Sequence, residues 1–359
     1  LATKISILND NNDLVKVGIS IGDLNGIGGE IILKSFEDQR MMELCTPVLF
    51  GSKRVVSFLI KHFDVNLRFH EISSAEEAVP GKFNMVNVWD EGVKVDFGTP
   101  DKKIGEYAFL SLKAATESLK EKTIDTLVTA PINKHVIQSE DFQFPGHTDY
   151  LAKELEGESL MFMISKDLKV GLLTDHVALK NVVSKIDKKL IQDKIQLMWE
   201  SLKKDFTVQK PRIAVLGINP HSGDNGVIGE EDDAVLRPAV EEMHDEGKLI
   251  YGPFAADSFF GSGNYNSFDA VIAAYHDQGL IPFKTLSFGQ GVNFTAGLSR
   301  VRTSPDHGTA YAIAGKGEAD NSSFNEAIFK GIEIFKNRSG YQELTKNRLE
   351  SQSRSKNMR

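Results

Sequence analysis

The chain has 359 residues, 41% of them apolar and 26% charged, and a formal net charge of −8. That is long enough for one large or two modest domains with a sizeable core, and the acidic balance argues against a general nucleic-acid binder while leaving room for a local basic pocket. No apolar run approaches the ~20 residues that span a bilayer, a single cysteine, Cys45, rules out an intrachain disulfide or a cysteine zinc cage, and the absence of a targeting pattern at the start makes a reducing cytoplasm the expected home.

Residues 1–13 are polar and expected to be flexible. Leu14–Ile21 then alternates as a strand and runs into Gly22-Asp23-Leu24-Asn25-Gly26-Ile27-Gly28-Gly29-Glu30, after which Ile31–Phe36 continues as a helix. Strand, glycine-rich turn and helix can together bind an anion on backbone N–H groups. The spacing is neither G-x-G-x-x-G nor a Walker A, so the stretch reads as a tight βα turn forming part of a cleft wall. Thr46–Phe50 is a second strand, Lys53–His62 a helix, and Leu67–Ile72 and Phe83–Val88 are short strands. Lys103–Leu119 is an amphipathic helix with Ala108, Leu112, Ala115 and Leu119 on one face. Strand Thr126–Thr129 ends in Ala130-Pro131-Ile132-Asn133-Lys134. Farther on, Pro145-Gly146-His147-Thr148-Asp149 leads into a helix from near Tyr150, so His147 and Thr148 stand at a helix start. There Thr148 can cap the helix, and an anion is welcome.

Leu160–Ser165 and Val170–Thr174 fit an antiparallel hairpin whose second strand delivers Asp175-His176. Helix Ile186–Lys204 precedes strand Arg212–Leu216, which delivers Asn219-Pro220-His221-Ser222-Gly223. An acidic helix, Glu230–Glu246, follows, and then a segment carrying Asp257. The densest chemistry lies between Phe268 and Asp320. The strand Ala270–Ala274 runs straight into Tyr275-His276-Asp277-Gln278-Gly279, and Lys284, Asn293, Arg300, Arg302, Thr303, Ser304, Asp306 and His307 follow among glycines, with little helical periodicity. Cations interleaved with Gly, Asn, Ser and Thr suit a phosphate or a carboxylate. Phe324–Asn337 closes the chain as a helix, and residues 340–359 are expected to be flexible.

His176, His221 and His276 each follow a short apolar strand within a few residues. Ligands in open α/β sheets gather past the carboxyl ends of strands, and three imidazoles with an open position suit a catalytic divalent metal. No local spacing resembles H-E-x-x-H, so a strand-end histidine bonded to a neighbouring carbonyl is the competing reading. His62, His70, His135 and His244 sit in charged or helical surroundings and read as surface residues.

Eight stretches, GDLNGIGGE, TAPINK, PGHTDYL, DHVALK, GINPHSGDNGVIGEED, GPFAADSFF, DAVIAAYHDQGLIPFK and GVNFTAGLSRVRTSPDHGTA, resemble in order the motif series of the 4-hydroxythreonine-4-phosphate dehydrogenase family of pyridoxal 5′-phosphate biosynthesis. The resemblance implies an α/β, isocitrate/isopropylmalate dehydrogenase-like fold. Residues 14–335 would form one catalytic unit of two interwoven α/β subdomains with a cleft between them. It further implies NAD-dependent oxidation and decarboxylation of 4-phosphooxy-L-threonine to 3-amino-2-oxopropyl phosphate in a homodimer whose active sites are shared between subunits. His176, His221 and His276 take the metal positions, with zinc the usual occupant and magnesium, manganese or cobalt as substitutes. The first two would come from one subunit and His276 from the other. His147, Thr148, Lys284, Asn293 and Arg302 take the substrate positions, and His307, Gly308, Thr309, Ala310, Ala314 and Gly315 would line NAD. Asp257 and Asp277 are candidates for the base or for orienting a metal ligand. Leu24-Asn25, Gly29, Asp175 and Arg300 depart from the family pattern and bear on substrate choice. A dehydrogenase of 4-phosphorylated threonate or erythronate is the nearest alternative, and a metal-dependent hydrolase of phosphorylated metabolites is a more distant one.

Overall fold

The computed structural model describes residues 14–347, except 156 and 288. Its strands are β1 (Lys16–Ser20), β2 (Thr46–Gly51), β3 (Phe69–Ile72), β4 (Phe83–Asn87), β5 (Thr126–Thr129), β6 (Leu160–Ile164), β7 (Lys169–Leu172), β8 (Arg212–Leu216), β9 (Leu249–Phe254), β10 (Ala270–Ala273), β11 (Val292–Ala296) and β12 (Val301–Pro305). They form one sheet of 12 strands in the order β3-β4-β2-β1-β5-β12-β11-β6-β7-β10-β8-β9. The first six in that order are mutually parallel, and so are the last four. Between the blocks β11 runs antiparallel to both β12 and β6, and β6 antiparallel to β7. The sheet therefore reverses direction at its centre.

Helices cover the strands, and their ends follow local chemistry. Helix Lys102–Lys120 is capped by Asp101, which accepts from the Lys103 N–H at 2.8 Å, and helix Lys188–Lys204 by Asp187, which accepts from Leu190 at 2.7 Å. Strands β2, β5, β6 and β10 are buried along their whole length, as expected of strands covered on both faces. The α/β class expected from the sequence is the one observed, as is the antiparallel hairpin of β6 and β7.

Six elements differ from expectation. His276–Leu286 is a helix despite Gly279 and Pro282. A side chain at Gly279 would meet Leu172 at 2.8 Å, so glycine lets this helix lie against β7. Strands β9 and β12 lie in stretches too interrupted or too polar to show alternation, and β11 alternates over only five residues within a glycine-rich stretch. The acidic segment opens with a π-turn at Asp232–Leu236 before helix Arg237–Asp245. The closing helix runs from Ser322 to Thr345, so residues 340–345 are helical rather than a loose tail. It is anchored where buried Arg338 donates to buried Asp205 at 2.8 Å. Residues 1–13 and 348–359 lie outside the described residues. Among the described residues, no helix is long and apolar enough to cross a membrane.

Candidate active site

The three strand-end histidines come from neighbouring parallel strands. His176 follows β7, His276 follows β10 and His221 follows β8, and β10 lies between the other two. Their carboxyl ends are laced together. Thr174 Oγ1 donates to Ala274 O at 2.8 Å, while Gln278 accepts from the Ala274 N–H and donates to Gly217 O, both at 2.7 Å. The turn carrying His221 is built on buried Asp232, which accepts from the N–H groups of Ile218 at 2.8 Å and Asn219 at 2.9 Å. Beyond it His221, Ser222, Asp224 and Asn225 all take left-handed backbone angles, φ 55°, 52°, 46° and 55°. Such conformations persist in non-glycine residues only where the surroundings hold them.

His176 and His276 face each other with ring centroids 6.0 Å apart. His276 donates Nδ1–H to Asp277 Oδ1 at 2.7 Å, which leaves Nε2 as an acceptor in the arrangement typical of a metal-binding imidazole. His176 Nε2 accepts from Lys134 Nζ at 3.0 Å. Burial, followed by the charge of Lys134, lowers the His176 pKa and favours the neutral ring. His221 does not line this pocket, and no group of three potential metal ligands gathers among the described residues. Pairing His176 with His276 in one chain departs from the grouping that the motif resemblance implies. The two strands are neighbours, and helix His276–Leu286 turns its first residue toward the β7 end.

The pocket in front of this pair encloses about 260 Å³ and lies across the antiparallel centre of the sheet. Asn293 stands opposite Ser304 and Met163 in register, so all three share the face that forms the floor. Arg302, on β12, is 2% exposed. Its guanidinium donates to Thr129 Oγ1 at 2.6 and 3.2 Å and to Thr295 Oγ1 at 3.2 Å, and no carboxylate pairs with it among the described residues. Burial without a counter-charge pulls its pKa down to about 9. His147, at the start of helix His147–Glu154, is held neutral by burial first and by the charges of Arg302 and Lys134 next. His147 Nε2, Asp149 Oδ2, Asn293 Oδ1 and His307 Nε2 are buried without a hydrogen-bond partner among the described residues. A cationic pocket with unsatisfied polar atoms is shaped for a compact anion carrying further polar groups.

The other expected residues take varied places. Thr148 is buried and lines the pocket. Lys284 lines its mouth and donates to Asp306 O at 2.9 Å. Asp257 is exposed on the short helix Ala256–Gly261 and does not line the pocket of its own chain. His307 and Gly308 reach the pocket, while the following segment lies along the glycine-rich turn. Ile27 N–H donates to Thr309 O at 3.0 Å, and a side chain at Gly26 would meet that oxygen at 2.9 Å. Tyr311 donates to Asp23 at 2.6 Å, His62 to Gly315 O at 2.9 Å, and the Ala319 N–H to buried Glu30 at 2.8 Å. The turn thus shapes the cleft by supporting the 307–319 segment. Three pocket-lining residues escaped the sequence reading, Thr129, Lys134 and Asp149, as did Thr295, which holds Arg302 from behind. Lys134 and Asp149 carried a signal, since each ends a polar run just past a strand or just inside a helix.

Residues 43–330 match the sequence model of the family described as pyridoxal phosphate biosynthetic protein PdxA. The chain belongs to the PdxA family. It is 49% identical over 326 residues to the 4-hydroxythreonine-4-phosphate dehydrogenase of Bacteroides thetaiotaomicron, covering 90% of each chain. It is 37% identical over 324 residues to the D-threonate 4-phosphate dehydrogenase of Cupriavidus necator, covering 89% of this chain and 96% of that one. The solved 4-hydroxythreonine-4-phosphate dehydrogenase of Klebsiella pneumoniae superposes with a TM-score of 0.76 at 32% identity, covering 90% of this chain and 98% of that one. This PdxA chain therefore shares the α/β architecture of that solved relative, and the α/β class is the one expected from its motifs. As a PdxA-family member it is an oxidoreductase of the dehydrogenase type.

Proposed function

We propose that the chain oxidises and decarboxylates 4-phosphooxy-L-threonine with NAD, giving 3-amino-2-oxopropyl phosphate, CO2 and NADH, for pyridoxal 5′-phosphate biosynthesis. The observation that carries this reading is Arg302, a buried guanidinium without a carboxylate partner, set among unsatisfied polar atoms beside two facing imidazoles. Arg302, Asn293, His147, Thr148 and Lys284 hold the phosphate through charge-assisted and neutral hydrogen bonds. Lys134, at the imidazole end, meets the carboxylate. The carbinol C–H leaves as hydride and its O–H as a proton; the C–C bond to the carboxylate then breaks, CO2 departs, and the electron pair left behind is protonated at carbon. Residues 307–315 would hold NAD, which would supply the hydride acceptor, and the imidazoles would hold a divalent metal, zinc by preference over magnesium, manganese or cobalt, which would supply Lewis acidity. Asp277 serves as the orienter of His276, and Asp257 is available as a base only to a partner's site.

The site is completed across a homodimer in this reading. The imidazole pair divides the pocket from a second groove lined by Val177, Leu179, Val182 and Tyr275, where Leu179 is 72% exposed. The His221 loop carries Val227, 82% exposed, and Ile228, 45% exposed. Apolar groove and apolar loop suit each other, with His221 of the partner subunit reaching the pair. In exchanging mixtures, inactive His221→Ala and His276→Ala chains should restore activity, whereas His176→Ala with His276→Ala should not, since each heterodimer site then keeps a lesion. Activity from both mixtures would instead restore the grouping of His176 with His221 that the motif resemblance implies. A second reading, oxidation of 4-phospho-threonate, is favoured by the Cupriavidus necator relative. NADH formation measured with both substrates and added metal tests the proposal; phosphate release without NADH would instead indicate a hydrolase.

A further inference from the structure

We infer that Asp149 recognises the ammonium group of the substrate, and so sets a preference for the 2-amino acid over the matching 2-hydroxy acid. The inference rests on the proposed reaction and concerns the choice between its two readings. The pocket is lined by three cationic side chains, Lys134, Lys284 and Arg302, and two carboxylates, Asp149 and Asp306. Asp306 is engaged: its Oδ1 accepts from Ser323 Oγ at 3.2 Å, and its backbone N–H donates to the same hydroxyl at 3.1 Å. Asp149 differs. Its Oδ2 is buried and accepts no hydrogen bond among the described residues.

A carboxylate here is unexpected on charge alone. The ligand carries a phosphate and a carboxylate, and a fixed negative charge repels both unless the ligand also brings a cation. Asp149 stands in the first turn of helix His147–Glu154, where the helix N-terminus favours negative charge. Asp149 shares the pocket lining with Lys134, His176 and His276, and a side chain at Gly146, three residues before it, would meet the Lys134 side chain that reaches His176, which places the start of this helix toward the imidazole end. In 4-phosphooxy-L-threonine the ammonium sits on C2, between the carboxylate and the carbinol, and therefore at that same end. The 2-hydroxyl of 4-phospho-threonate can donate one hydrogen bond there but leaves the Asp149 charge uncompensated. A residue serving only the helix terminus would act alike on both substrates.

The experiment compares kcat/KM for NADH formation from the two substrates in wild type, Asp149→Asn and Asp149→Glu, with added metal. Asp149→Asn keeps the shape and removes the charge. It should lower kcat/KM for the amino substrate about 10–100-fold, the range of one lost charge-assisted contact, while the hydroxy substrate is unchanged or improved. Equal losses on both substrates would overturn the inference. If the Asn variant does not fold, Asp149→Glu carries the test: moving the carboxylate outward should cost the amino substrate more than the hydroxy substrate, and an unchanged ratio overturns the role. A wild-type enzyme that forms NADH from neither substrate defeats the functional reading instead.

Discussion

Replacing Arg302 by methionine should stabilise the free protein while destroying its phosphate response. The guanidinium falls from its ordinary 12.5 to about 9 on burial. At roughly 1.4 kcal/mol per tenfold change in protonation, holding that charge costs on the order of 5 kcal/mol. Its hydrogen bonds to Thr129 and Thr295 return about 1 kcal/mol each, leaving a net burden of about 2 kcal/mol. The lowered value still lies above neutral pH, so the group is charged and the whole burden is present at pH 7.5. Methionine removes it with a side chain of similar length, and the melting temperature should rise by roughly 2–6 °C. Inorganic phosphate at 100 times its Kd should add about 2.7 kcal/mol to the wild type and nothing to Arg302→Met. Thermal denaturation with and without phosphate gives all four values. A variant that melts lower than wild type without phosphate, or one that phosphate stabilises equally, would make Arg302 a structural post.

Asp277→Asn should weaken divalent-metal binding about 10–100-fold by releasing the His276 ring, as read by competition against a chelating dye; unchanged affinity would leave Asp277 without an orienting role. Glu30→Gln weakens the hold on Ala319 and should raise KM for NAD while leaving KM for the phosphorylated substrate near its wild-type value, by steady-state kinetics. His147 has a folded pKa held below 6.5, chiefly by burial. The unfolded chain takes up a proton there that the folded chain refuses, so stability present above pH 6.5 is lost as the pH falls through that value. His147→Gln should remove up to about 1.4 kcal/mol per pH unit of that slope, measured by urea unfolding between pH 5 and 7.

The elements legible in the sequence are those whose only task is packing. β2 and β8 read as apolar runs, and helix Lys53–His62 was bounded correctly at both ends. The elements that were missed are those that build the pocket. β11 and β12 hold Asn293, Thr295, Arg302 and Ser304 on their inner faces; in β12 these polar groups leave no alternation, and in β11 the alternation spans only five residues, too short to stand out among the surrounding glycines. Helix His276–Leu286 is disguised by Gly279 and Pro282, the first needed for close approach to β7. Motif order pointed to His147, Thr148, Lys284, Asn293 and Arg302, which line one pocket, but spacing along the chain says nothing of who faces whom. Only the neighbouring positions of β7 and β10 bring His176 to His276.

The reversal of strand direction has a consequence for how the protein is made. Remove β11 and β12, and the sheet falls into two halves, β3-β4-β2-β1-β5 and β6-β7-β10-β8-β9, with bare edges at β5 and β6. Both edges are closed by a single late hairpin-like pair, since β12 seals β5 and β11 seals β6. On a ribosome adding about 5–20 residues per second, β5 waits on the order of ten seconds or more for its neighbour. During that interval the nascent chain exposes two apolar strand edges, each able to pair with another chain. A ribosome stalled before residue 292 would hold such an intermediate in place, which makes the second half of synthesis the period when this enzyme most depends on chaperones.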